Sequence, residues 1–212
     1  MMTPAEQSKA TRDICQLAPV VPVLVIDDAS QAQDLARALV AGGLPALEVT
    51  LRTPAALDAI AAMAQVPGGY VGAGTLLTPE DVTRAKEAGA TFGVSPGATP
   101  RLLAAAAEAD LPLLPGAASA SEAMALIEQG YDMAKFFPAE AAGGRPFLKS
   151  LASPLPQITF CPTGGITSET AHEYLSLPNV LCVGGSWVAP KSMMDQRDWS
   201  GIEALARAAA AL

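Results

Sequence analysis

A lysine stands inside an apolar, strand-like run at "MAKFFPAE", residues 133–140. Burying an ammonium is costly unless it is paired or neutral. Upstream, "EVTLR" sets Glu48, Thr50 and Arg52 two residues apart. On a strand that spacing puts all three on one face, with Leu47, Val49 and Leu51 on the other. Lys135 and Phe137 likewise share a face, opposite Ala134 and Phe136. A lysine in low dielectric loses proton affinity, and a neutral amine can attack a ketone to give a Schiff base. The protonated imine is an electron sink, so a carbon–carbon bond beside it can break to leave an enamine. Arg52 would grip a carboxylate in a bidentate contact. Glu48 would carry protons through carbinolamine formation, bond cleavage and enamine protonation. The same residues allow a purely structural reading, with Glu48 in a buried ion pair with Arg52 or Lys135.

Further polar residues and glycines gather where other strand-like runs end. They are Thr75, the "SPG" at 95–97 with Pro96, Thr163-Gly164-Gly165 in "CPTGGI", and Gly184-Gly185-Ser186 in "VGGSW". Either glycine pair alone reads as a tight strand–helix turn. Two pairs on consecutive strands fit loops that offer backbone N–H groups to a phosphate. The single histidine, His172, falls in a helical pattern, so a multi-histidine metal site is not expected. Cys15, Cys161 and Cys182 are odd in number and lack CxxC spacing. Cys161 and Cys182 read as core fillers, and a reducing cytoplasm is expected. Lys149 and Lys191 read as solvated.

Eight short apolar runs must position these groups: residues 21–26, 46–51, 70–74, 91–95, 111–115, 133–137, 157–162 and 180–185. Each is continuously apolar, as for strands covered on both faces. Ala-rich amphipathic stretches alternate with them. Thr53-Pro54, Thr78-Pro79 and Thr99-Pro100 read as helix caps followed by proline. Ser119 with Glu122 reads as a capping box, and Gly ends helices at 42–43, 89 and 130. Helices are also expected around residues 4–16 and at the C-terminus. The pattern predicts one domain over residues 1–212, a (β/α)8 (TIM) barrel with an extra N-terminal helix. A doubly wound open sheet is the alternative, disfavoured because no Gly-rich dinucleotide fingerprint opens the chain. Half the 212 residues are hydrophobic and 16% charged, which suits a large core. The formal net charge of −8 argues against nucleic acid and anionic membrane as partners. No apolar run approaches the roughly 18–20 residues of a membrane span.

The blocks "EVTLRT", "VGAGT", "SPG", "KFFPAE", "CPTGGI" and "VGGSW", in that order, resemble the 2-keto-3-deoxy-6-phosphogluconate (KDPG) and 4-hydroxy-2-oxoglutarate aldolases. The likeness runs from about residue 20 to residue 187. It implies a homotrimeric (β/α)8 barrel, a class I aldolase yielding pyruvate and glyceraldehyde 3-phosphate from a phosphorylated keto acid. No metal or other cofactor is implied beyond the covalent imine. By position, the Schiff-base lysine falls on Lys135 and the proton-transfer glutamate on Glu48. Pyruvate-side contacts fall on Arg52, Thr75, Pro96 and Thr163, and Phe137 lines the pocket. Phosphate contacts fall on Gly164, Gly165, Gly184, Gly185 and Ser186. Ser119, where the family often has threonine, and the segment around Arg145 and Pro146 depart mildly. Rival readings are an aldolase for the 6-phosphogalactonate epimer, a metal-dependent phosphosugar epimerase and a non-catalytic phosphosugar-binding barrel.

Overall fold

The computed structural model describes residues 1–212. Helix α1 (Pro4–Cys15) precedes β1 (Val20–Leu24), a 3₁₀ turn at Ala29–Gln31, α2 (Ala32–Ala41), β2 (Ala46–Thr50) and α3 (Ala56–Met63). Then come β3 (Tyr70–Gly74), α4 (Pro79–Glu87), β4 (Phe92–Val94), α5 (Pro100–Glu108), β5 (Leu113–Leu114), β6 (Gly116–Ala117) and α6 (Ala120–Glu128). The chain finishes with β7 (Met133–Phe136), α7 (Gly144–Leu151), β8 (Thr159–Pro162), α8 (Ala171–Leu175), β9 (Val183–Gly185), α9 (Lys191–Asp195) and α10 (Trp199–Ala210).

All strand pairs are parallel, in a curled α/β arrangement of two arcs. One runs β5-β4-β3-β2-β1-β9 and the other β6-β7-β8. Strand order therefore follows chain order, and the last strand pairs with the first. A doubly wound sheet would instead reverse at a switch point. Isolated bridges at Phe160–Val180 and Thr163–Gly184 connect β8 to β9 and the residues before it.

Eight strands were expected, and nine segments are found because the run at 111–115 is broken. Pro115 has no N–H to give to a ladder. Leu114 O accepts from Ser95 N–H, and Pro115 O accepts from Lys135 N–H, 2.8 Å away. The two halves of the run thus serve opposite neighbours, leaving two short strands on either side of the proline.

Thr78 and Thr99 cap α4 and α5 as expected, and Thr78 forms a reciprocal box with Asp81. Ser119 caps α6, although Glu122 reaches back to Ala118 N–H, not to Ser119. Thr53 does not cap. Its hydroxyl donates to Ile26 O, and α3 starts at Ala56 without a side-chain cap. The reason lies in the sheet. Leu51 N–H still bonds Gly74 O at 2.8 Å, so the chain must turn after β2 before a helix can begin.

The apolar side chains form two clusters. The larger lies between strands and helices and takes Leu47, Val49, Ala134, Phe136 and Phe160. The smaller lies inside the curled sheet and contains Val21, Ala46, Phe92, Val94, Met133 and the three free cysteines. Helix α1 covers the N-terminal ends of the strands. Gln7 accepts from Leu113 N–H, Ser8 accepts from Asp132 N–H, and Arg12 bonds Asp132. With one end plugged by α1 and filled by this cluster, the strand C-termini are left for polar groups. No helix is long and apolar enough to cross a membrane.

Candidate active site

Strand alternation delivers Glu48 on β2 and Lys135 on β7 to the interior, where they meet. Lys135 Nζ lies 3.0 Å from Glu48 Oε1, and each side chain is 4% exposed. Glycines of β3 make room on this inner side. Gly72 faces the Phe92 ring and Gly74 faces the Glu48 carboxyl, both too close to admit a methyl group. Lys135 also pairs in register with Gly116, whose inward side is crossed by the Pro96 carbonyl. The amine sits 5.3 Å from the centre of the Phe137 ring, within cation–π range.

Phe137 in turn lines an open cleft with Arg52, Thr163, Gly164, Gly165, Gly184 and Ser186. Arg52 is exposed, one residue beyond Leu51 at the rim, and its Nε bonds Thr75 Oγ1 at 3.3 Å. Thr75 has φ of +62°, a left-handed backbone that a β-branched residue adopts only at a cost of about 1–3 kcal/mol. Such strain fits a residue fixed for a task. Thr163 Oγ1 is buried without a hydrogen-bond partner beside Gly184. An unpaired buried hydroxyl at a cleft wall is a ready contact for a polar ligand atom.

The two glycine pairs differ in physical origin. Gly164 and Gly165 have φ of +105° and +81°. In that loop the Thr163 and Gly164 carbonyls accept from Ala139 and Glu140 N–H groups at 2.8 and 3.1 Å, while neither glycine N–H has a backbone acceptor. Two free adjacent donors on a left-handed turn make an anion cradle. Gly184 and Gly185 have ordinary φ and are glycine for space, taken by Thr163 and the Trp187 ring.

The structure thus gathers Arg52, Phe137, Thr163, Gly164, Gly165, Gly184 and Ser186 around one cleft, with Lys135 and Glu48 reached past Phe137. Thr75 joins through Arg52 and Pro96 through Gly116. Gly185 does not line the cleft and lies under Trp187. Three apolar lining residues, Val23, Val25 and Ile166, escaped the sequence reading. Val23 and Val25 are two apart in the first apolar run, and that spacing was the available signal. His172 is exposed, as are Lys149 and Lys191. No three His, Cys, Asp or Glu side chains stand close enough to hold a metal ion.

The profile of the KDPG and KHG aldolases matches residues 11–205. The chain belongs to that family. It is 53% identical over 198 residues to the 2-dehydro-3-deoxy-phosphogluconate aldolase of Zymomonas mobilis, covering 93% of this chain and 94% of that one. A crystal structure of the Zymomonas mobilis 2-keto-3-deoxy-6-phosphogluconate aldolase with 3-phosphoglycerate superposes with a TM-score of 0.92, at 51% identity and 96% coverage of both chains. The KDPG aldolase of Legionella pneumophila, with pyruvate captured as a covalent carbinolamine, superposes with a TM-score of 0.91 at 47% identity. It covers 94% of this chain, and this chain 97% of it.

Within this aldolase family member, a methyl group at residue 74 gives a direct test of site geometry. In Gly74→Ala the new Cβ would fall 2.7 Å from Glu48 Cγ, so the carboxylate must move. A shift of about 1 Å at such a group costs about 100-fold in kcat/KM. Far-UV circular dichroism should stay unchanged. Wild-type turnover in Gly74→Ala would mean that the Glu48 position is immaterial.

Proposed function

We propose that this chain is a class I aldolase that cleaves KDPG to pyruvate and glyceraldehyde 3-phosphate through an imine on Lys135. The observation that carries the reading is the buried 3.0 Å contact between Lys135 Nζ and Glu48 Oε1 beside the Arg52 cleft. Transfer of a proton across that contact leaves a neutral amine, which attacks the C2 ketone. Glu48 returns that proton to the carbinolamine hydroxyl, which leaves as water to give a protonated imine. The Glu48 carboxylate then takes the C4 hydroxyl proton as the C3–C4 bond breaks, its electron pair enters the imine, and the aldehyde leaves. Glu48 then protonates the enamine at C3, and water hydrolyses the pyruvate imine to regenerate the amine.

Arg52, held by Thr75, takes the substrate carboxylate with Thr163 and the Pro96 segment alongside. The free N–H groups of Gly164 and Gly165 take the phosphate, joined by Gly184 and Ser186, while Gly185 serves to seat Trp187. The family description includes KHG aldolases, and this supports a second, unphosphorylated substrate, 4-hydroxy-2-oxoglutarate, giving pyruvate and glyoxylate. The chain-order pairing, the β9-to-β1 contact and the bridges from β8 to the β9 region support closure of the two arcs into one (β/α)8 barrel. Family membership supports a metal-free cytoplasmic homotrimer.

One experiment tests these points together. Protein eluting as a trimer from a sizing column is treated with pyruvate and borohydride in excess EDTA. The expected product is a single reduced adduct on the peptide bearing Lys135. Labelling of another lysine, or none, sinks the imine reading. Loss of labelling in EDTA alone sinks the metal-free one.

A further inference from the structure

Behind the Gly164–Gly165 loop lies a contact that the imine chemistry does not use. Tyr174, on α8, is fully buried, and its hydroxyl donates a short hydrogen bond to Glu140 Oε1. Burial and the facing Glu140 carboxylate push the Tyr174 hydroxyl above the usual phenol range. It therefore remains a donor at any working pH. The Glu140 side chain lies directly against the loop. A Cβ added at Gly165 would fall 2.7 Å from Glu140 Cγ and 2.9 Å from its Cβ. The backbone grips the same loop, with Glu140 N–H on Gly164 O at 3.1 Å and Ala139 N–H on Thr163 O at 2.8 Å. An Arg145–Glu173 ion pair ties α7 to α8 and so braces Tyr174's helix. A carboxylate next to an anion cradle works against phosphate binding by charge, so its presence there calls for a compensating role.

We infer that Glu140, latched by Tyr174, is a positioning residue that holds the Gly164 and Gly165 N–H groups in anion-binding geometry and thereby sets the preference for phosphorylated over unphosphorylated substrates. This rests on the reading of that loop as the phosphate site. Tyr174→Phe deletes only the hydroxyl, Glu140→Ala deletes the support, and Glu140→Gln keeps an oxygen to accept from Tyr174.

In Tyr174→Phe and Glu140→Ala, KM for KDPG should rise about tenfold, the scale of one lost charge-assisted hydrogen bond, with kcat within about threefold. KM for 4-hydroxy-2-oxoglutarate and deuterium exchange into the pyruvate methyl group should stay within about twofold. Glu140→Gln should recover KDPG KM to within about threefold of wild type. Amide ¹⁵N order parameters of Gly164 and Gly165 in the free protein should fall from about 0.85 toward 0.6 in Tyr174→Phe, with Gly184 unchanged. An equal rise in KM for both substrates, or order parameters that do not move, overturns the latch. If the wild-type enzyme makes no distinction between the two substrates, the phosphate reading falls, and the order parameters still decide whether the latch exists.

Discussion

Lys135→Met abolishes borohydride trapping of pyruvate and lowers KDPG cleavage by about 10⁴-fold or more. That is the expected scale when covalent attachment and its pre-paid orientation are both lost. The substitution also tests the rival view that Lys135 is only half of a structural ion pair. Both partners are 4% exposed, and Glu48 Oε1 is the one hydrogen-bond acceptor for the amine. Removing one partner leaves a buried carboxylate unmatched, which costs about 3–5 kcal/mol of stability. Lys135→Met is therefore expected to unfold at lower urea concentration than wild type. The double variant Lys135→Met/Glu48→Gln should regain most of that loss, since two neutral side chains of similar volume replace two charges. Urea midpoints and trapping together separate the two views. A structural pair predicts that activity returns with stability in the double variant. A covalent lysine predicts a well-folded, inert protein.

Much of this site could be read from spacing alone. The two-residue period of Glu48, Thr50 and Arg52, and of Lys135 and Phe137, places them on one face of their strands. Glu48 and Lys135 do meet on the inner side at 3.0 Å, Leu47, Val49, Ala134 and Phe136 join the core on the helix side, and Arg52 lies past the strand end at the rim. The strand at 70–74 matches its apolar run to the residue, and its inward glycines prove to be the space for Phe92 and Glu48. Where the sequence misled, a tertiary contact outbid a local rule. Thr53-Pro54 has the grammar of a helix cap, yet the Ile26 carbonyl takes the hydroxyl. Pro115 looked like the end of a strand and is instead its midpoint, a break forced by the missing N–H. Likewise "TGG" and "VGGS" share a glycine pair with different causes, backbone conformation in one and steric room in the other. Composition cannot separate those, because both exclude a Cβ. The Tyr174–Glu140 bond joins residues 34 apart in sequence, beyond any periodicity, so only the fold brings it into view.

Glu48→Gln should keep the fold and the Lys135 contact, at a cost in stability because the buried ammonium loses its counter-charge, and still remove the proton carrier. The amide has nearly the carboxylate's volume, and its oxygen can accept from Nζ across the same 3.0 Å. What it cannot do is take and return a proton at C3. Loss of a positioned general acid–base costs about 10²–10⁴-fold. Deuterium exchange into the pyruvate methyl group should fall by that factor, because each exchange event needs one deprotonation and one protonation of the enamine. KDPG cleavage needs the enamine protonated once per turnover and should fall with it. KM should change little, since Arg52 and the Gly164–Gly165 cradle are untouched. Glu48→Asp sharpens the point. It keeps the carboxylate but withdraws it by one methylene, so exchange should fall about 100-fold for reasons of distance alone. If Glu48→Gln exchanges the methyl protons at the wild-type rate, another group carries the proton, and Glu48 is left as the counter-charge that keeps an amine soluble in the core.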